Sequence, residues 1–216
     1  MKNLLYAGSS RRRVIVPISN GSLLDFECDN LTGWTDEDTG EAVSDQVTFD
    51  GKSTFRFDTN TSADTDDQAS RLKDIGSIDG LGNRIVISYN LYCDACAARA
   101  NNDTFVFHVF RSDWKFVLHM AADGLFIYDG AAYVEAGTNL VVEDAWQEWT
   151  FDIDLSGGGG SAVCDIYVNQ ALIVSSFDCS YDTGGTDGDV RMQVSGHATD
   201  DQIAYVDWLK IGDGFA

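Results

Sequence analysis

Strict alternation of apolar and polar side chains recurs along this 216-residue sequence, and no stretch keeps a helical period. Phe55 and Phe57 alternate with Thr54, Arg56 and Asp58; Ile85, Ile87, Tyr89 and Leu91 share one phase; Trp149, Phe151, Ile153 and Leu155 interleave with Glu148, Thr150, Asp152 and Asp154. A period of two puts every second side chain on one face of an extended chain, so each run predicts a half-buried strand. Further runs at 105–110, 114–120, 125–128, 162–168, 171–175, 190–194 and 203–211 bring the total to about a dozen, too many for one small sheet. Asp50-Gly51, Asp79-Gly80, Asp123-Gly124, Asp129-Gly130, the 157–160 glycine run, Asn169-Gln170 and Gly184-Gly185 supply turns between them. The economical solution is all-β: a two-sheet antiparallel sandwich in which each sheet buries one face against the other.

With 44% hydrophobic and 12% aromatic residues the chain can fill such a core. Segments 58–67 and 181–189 are polar connections, no internal repeat is visible, and no second domain is indicated.

Charge divides the chain in two. The first 24 residues hold Lys2, Arg11, Arg12 and Arg13 and no acidic side chain, which leaves 10 of the 14 basic residues against all 35 acidic ones, a formal −25. We read residues 1–22 as a basic docking arm and 23–216 as the sandwich domain. The acidic body lacks the Lys/Arg footprint that phosphate binding requires, which argues against nucleic acid as its partner. Strong acidity also marks salt-adapted or very soluble proteins, and composition alone leaves that meaning open.

Leu4, Leu5, Tyr6 and Ala7 form too short an apolar stretch for a secretory signal, and no later run approaches a membrane span, so no membrane partner is expected. Five cysteines leave at least one unpaired, unlike a secreted disulfide framework. Cys93 and Cys96 have redox or zinc spacing but lack a second pair or flanking histidines, so they read as buried or loop thiols; Cys164 and Cys179 flank a hairpin, and their pairing stays open.

Across 23–214 the order of elements resembles the concanavalin A-like lectin/glucanase jelly rolls, laminin-G-like domains included. The resemblance is carried by Leu24-Asp25-Phe26-Glu27 with Gly33-Trp34, by Asp50 to Phe55, by Trp146 to Thr150, by the Ile166 to Gln170 hairpin and by the closing Val206 to Ile211. It implies that the last strand pairs beside the first, and it says little about activity. The opening is also similar to galactose-binding-type carbohydrate-binding modules, where an early acid and a late Asp share a structural Ca2+. Asp25, Glu27 and Asp207 are the corresponding candidates, against the plainer reading of surface carboxylates at strand ends.

Glucanases of this fold carry ExDxE on one strand face; Asp152 and Asp154 share a face here without the flanking Glu. The strand motifs of alginate-lyase relatives, which use a His/Tyr pair with Arg and Gln, are absent too. We therefore expect no enzyme. His108 and His119 run opposite in phase to Phe107/Val109 and Phe116/Leu118 on neighbouring strands, so both face one sheet surface, with Trp114 at the turn. Together with Trp34, also placed near a strand end and expected to be exposed, they are the candidate glycan platform, the alternative being ordinary sheet-face histidines and end plugs. Trp146, Trp149 and Trp208 read as core or seam packing.

The expectation is a non-enzymatic structural or adhesion subunit, made in the host cytoplasm and displayed on a virion surface as a head-decoration or tail-associated protein of a bacteriophage. Arg11, Arg12 and Arg13, followed by Val14, Ile15 and Val16, would add a strand to another subunit's edge, and the sandwich would hold cell-surface glycans. The alternatives are a free, extracellular carbohydrate-binding module with a structural Ca2+ and, ranked last, a polysaccharide-cleaving enzyme.

Overall fold

The computed structural model describes residues 24–60, 67–95, 105–181, 187–195 and 202–213. The arm residues Arg11, Arg12, Arg13, Val14, Ile15 and Val16 lie outside them, as do Cys96 and His197. In chain order the strands are β1 (Leu24–Phe26), β2 (Thr35–Asp36), β3 (Val43–Phe49), β4 (Lys52–Asp58), β5 (Gln68–Asp74), β6 (Arg84–Ala95), β7 (Phe105–Arg111) and β8 (Trp114–Ala121). They continue with β9 (Gly124–Tyr128), β10 (Tyr133–Thr138), β11 (Trp146–Asp154), β12 (Val163–Val168), β13 (Ala171–Asp178), β14 (Asp189–Ser195) and β15 (Ile203–Gly212).

All pair antiparallel in two sheets: β13-β12-β11-β6-β15-β4-β3 with β1 beside β15, and β10-β9-β8-β7-β14-β5-β2. The expected closure is present, since Leu24 to Phe26 pairs with Ile211 to Leu209 and joins the first described strand to the last. Two turns read from sequence are tight hairpins with both central residues at positive φ, Asp50-Gly51 (50° and 72°) and Asn169-Gln170 (49° and 69°). Asp79-Gly80 instead opens a short 3-10 turn over Asp79–Leu81.

The core is the layer between the sheets. Phe55, Phe57, Ile87, Tyr89, Trp149 and Phe151 from one face meet Phe105, Phe107, Phe116, Leu118, Met120 and Ile127 from the other, all essentially inaccessible. Rings interlock across the layer: Phe116 lies 5.4 Å from Phe151, Tyr89 5.2 Å from Phe107, and the Tyr89 hydroxyl donates to the Met120 sulfur at 3.1 Å. Cys28, Cys164 and Cys179 are reduced and buried among these apolar groups, and burial raises each thiol's pKa.

Two tryptophans expected at the surface belong to this core. Trp114 is fully buried because it shares parity with Phe116 and Leu118, and its indole N–H donates to the Cys179 carbonyl at 3.1 Å. Trp34 is 7% exposed and packs at 5.4 Å from both Phe26 and Phe55. Both close the sandwich, so neither offers a ring face to a sugar. Conversely, Trp146 and Trp208 leave the seam. Trp146 has the outward parity of Glu148, and a bulge at Asp207 brings Trp208 out beneath the Lys210 ammonium, 5.6 Å away. Trp149 is core, as read.

Candidate functional site

Alternation on β7 and β8 commits Phe105, Phe107, Val109, Phe116 and Leu118 to the core, so the intervening side chains must face away from it. Register gathers them into transverse rows on the outer face of the seven-stranded sheet. One row runs Glu135, Phe126, His119, Val106, Gln193 and Ser70 across five antiparallel pairings. In the next, Val117, His108, Arg191 and Leu72 are cross-strand neighbours, and Tyr133 pairs with Tyr128 on β10 and β9. His108 and His119 share one sheet surface, but they do not face each other as expected: each stands opposite a valine, Val117 and Val106.

Rings line this face. The His119 imidazole lies 4.2 Å from the Tyr133 ring; Tyr128 lies 5.0 Å from Tyr133 and 4.7 Å from Tyr181. Phe110 stands edge-on to His108 at 5.7 Å, and the Lys115 ammonium sits 5.3 Å from the Phe110 ring and 5.5 Å from Tyr181. Both ring nitrogens of His108 are buried and, among the described residues, without a hydrogen-bond partner. Burial, reinforced by the neighbouring His119, Arg191 and Lys115, pushes its pKa from 6.5 down to about 3, so the imidazole is neutral at physiological pH.

Sequence reasoning missed Tyr133, Tyr128, Tyr181, Lys115 and Arg191. The signal for the first two was present: a tight connection at Asp129-Gly130 sets Tyr128 opposite Tyr133, and Asp129 caps that turn by accepting N–H bonds from Ala131 and Ala132 at 2.8 and 2.7 Å. The fold thus assembles His, Tyr, Arg and Gln side chains on one face although no lyase-type strand motif announces them.

Other candidates resolve differently. Asp25 and Glu27 both lean on the Lys210 ammonium (3.1 and 3.6 Å), while Asp207 accepts from Lys52 at 2.7 Å and from Asn90 at 3.1 Å. The three are held by lysines and are not gathered around a common point, and no group of three His, Cys, Asp or Glu among the described residues is arranged to hold a metal ion. On the outer face of the eight-stranded sheet a groove of about 580 Å³ is lined by Arg84, Asp152, Asp154, Asp165, Ser176 and Asp213, among others. Arg84 clasps Asp152 with two bonds of 2.8 and 2.5 Å. Asp154 has its pKa lowered, chiefly by the Ser156 backbone N–H, the opposite of what a proton donor to a glycosidic oxygen needs.

No family model and no curated protein matches the sequence. Solved structures do match, sharing the fold at little sequence identity. The chain is similar to a conserved carbohydrate esterase from the Shiga toxin-encoding bacteriophage phi24B (TM-score 0.60, 13% identity, 88% of this chain and 97% of that one). It is also similar to the metal-free carbohydrate recognition domain of Emp46p (0.55, 10%, 90% and 97%). A third likeness is to botulinum neurotoxin type C, whose cell entry depends on two ganglioside molecules (0.57, 11%, 92% of this chain and 49% of the toxin chain). The fold is a lectin-like jelly roll. At these identities the likeness is one of architecture, and within that jelly roll the chemistry is argued from this chain's own side chains.

Proposed function

We propose that the outer face of the seven-stranded sheet is a saccharide-binding surface and that the protein holds glycans without cleaving them. The observation carrying this reading is the outward cluster His119, Tyr133, Tyr128 and Tyr181, whose neighbouring rings stand 4.2–5.0 Å apart beside His108 nitrogens that no described residue engages. Half-buried rings stack on the apolar face of a pyranose, and neighbouring imidazole and amide groups exchange hydrogen bonds with its hydroxyls. Structural neighbours that recognise carbohydrate or depend on gangliosides support it. Titration of an oligosaccharide panel should give binding that His119→Ala and Tyr133→Ala each weaken at least tenfold with an unchanged melting temperature, and every saccharide should be recovered intact. Binding that survives both substitutions contradicts the reading. Unsaturated sugar products that disappear in Tyr133→Phe would make the face catalytic.

The same jelly roll serves, in our proposal, as a subunit on a virion surface, tied to its neighbours through residues 11–16. The leader's composition and a phage protein among the neighbours support this role. Deleting residues 1–20 should abolish incorporation into particles and leave the sandwich folded; retained incorporation contradicts it.

A further inference from the structure

Resting on the saccharide reading above, we propose that this face selects acidic saccharides, with Lys115, Arg191 and His108 reading a carboxylate or sulfate carried by the sugar. In so acidic a body the basic side chains are generally spoken for: Arg56 pairs with Asp45 and Asp58, Arg84 with Asp152, Arg111 with Asp79 and Asp113, Lys52 with Asp207. Lys115 departs from this pattern. Among the described residues its ammonium meets no carboxylate, and it is held instead over the outward rings of Phe110 and Tyr181. A cation kept away from such an excess of acids, on an aromatic surface, is placed to meet a charge from outside.

Arg191 supplies the second donor. It lies directly across the strands from His108; its Nη2 grips Glu37 at 2.8 Å, while its Nε is buried with no hydrogen-bond partner. With the two His108 nitrogens this makes three buried polar atoms on adjacent strands that no described group satisfies, each of them destabilising unless something engages it. The groups acting electrostatically on His108 are His119, Arg191 and Lys115, none of them acidic. Of the carboxylates of this face, Glu135 stands on the β10 edge and Glu37 is committed to Arg191, while Asp189 lies two residues from Arg191 on β14 and interacts with its charge. Lys115 and Arg191 therefore flank His108 on the platform, where one anionic substituent of a stacked sugar would accept from the Lys115 ammonium, the Arg191 Nε–H and the single N–H of the neutral imidazole.

Matched pairs isolate the charge: oligogalacturonate against its methyl ester, and a sulfated galactan oligosaccharide against its desulfated form, titrated at low and high salt. The proposal expects at least one acidic member to bind about tenfold tighter than its neutral partner, with the gap narrowing in salt. In Lys115→Met, which keeps the aliphatic stem over the rings, the ratio of acidic to neutral affinity should collapse toward unity. Which pair responds tells carboxylate from sulfate. Equal binding within both pairs, or a preference undiminished in Lys115→Met, overturns the selectivity and leaves the saccharide surface standing. Failure of every member to bind overturns both.

Discussion

Trp114 and His119 stand on the same strand and point to opposite sides of its sheet, so replacing them has opposite consequences. Trp114→Ala empties a fully buried site and breaks the indole bond to Cys179; it should cost about 3–5 kcal/mol in denaturant unfolding and leave the saccharide affinity of the folded protein unchanged. His119→Ala does the reverse. The parity that separates them was legible, because Trp114 shares the phase of Phe116 and Leu118, and its place at a strand end was the misleading cue. His108 adds a pH signature. Its folded pKa of about 3 lies below the ordinary 6.5, so the unfolded chain binds the proton more readily. The stability it contributes is complete above pH 6.5 and is lost as pH falls toward 3. The wild-type protein should lose on the order of a few kcal/mol more than His108→Gln across that window. An identical acid slope in the two proteins would show that the imidazole is not held neutral.

Between elements, the edge where the sheets approach is stitched by one carboxylate. Asp38 accepts from the Ser70 backbone N–H on β5 at 2.7 Å and from the Ser44 N–H and hydroxyl on β3 at 2.7 and 2.5 Å, tying a strand of each sheet to one side chain. Arg71 reaches across the same edge to the Ser44 carbonyl and to Asp36. Asp38→Ala should therefore cost about 2–4 kcal/mol and raise amide exchange along β3 and β5 ahead of the core strands; uniform exchange across both sheets would contradict a local stitch. Strands with clean alternation, β7, β8 and β11 among them, were readable within a residue or two. β3, β5 and β10 were not, because edge-facing positions there carry Ser, Asp, Gln, Lys and Glu in place of a regular apolar phase. The loss mattered for function, since β10 delivers Tyr133.

For the whole molecule, alternation sufficed to foresee two packed sheets, and the resemblance foresaw the closure of β1 on β15. Which outer face would gather the chemistry was only partly open to a linear reading: β10, β9, β8 and β7 neighbour one another in chain order, whereas β14, which brings Arg191 beside His108, joins β7 from far along the chain. The site is a product of register, and its test should be spatial. The chain holds only three histidines, His108, His119 and His197, so ring-labelled histidine gives a sparse NMR spectrum with two reporters on the proposed platform. Adding a bound saccharide should move the His108 and His119 ring resonances in proportion to occupancy. Saturable binding that leaves both unmoved would place the saccharide elsewhere and contradict the account.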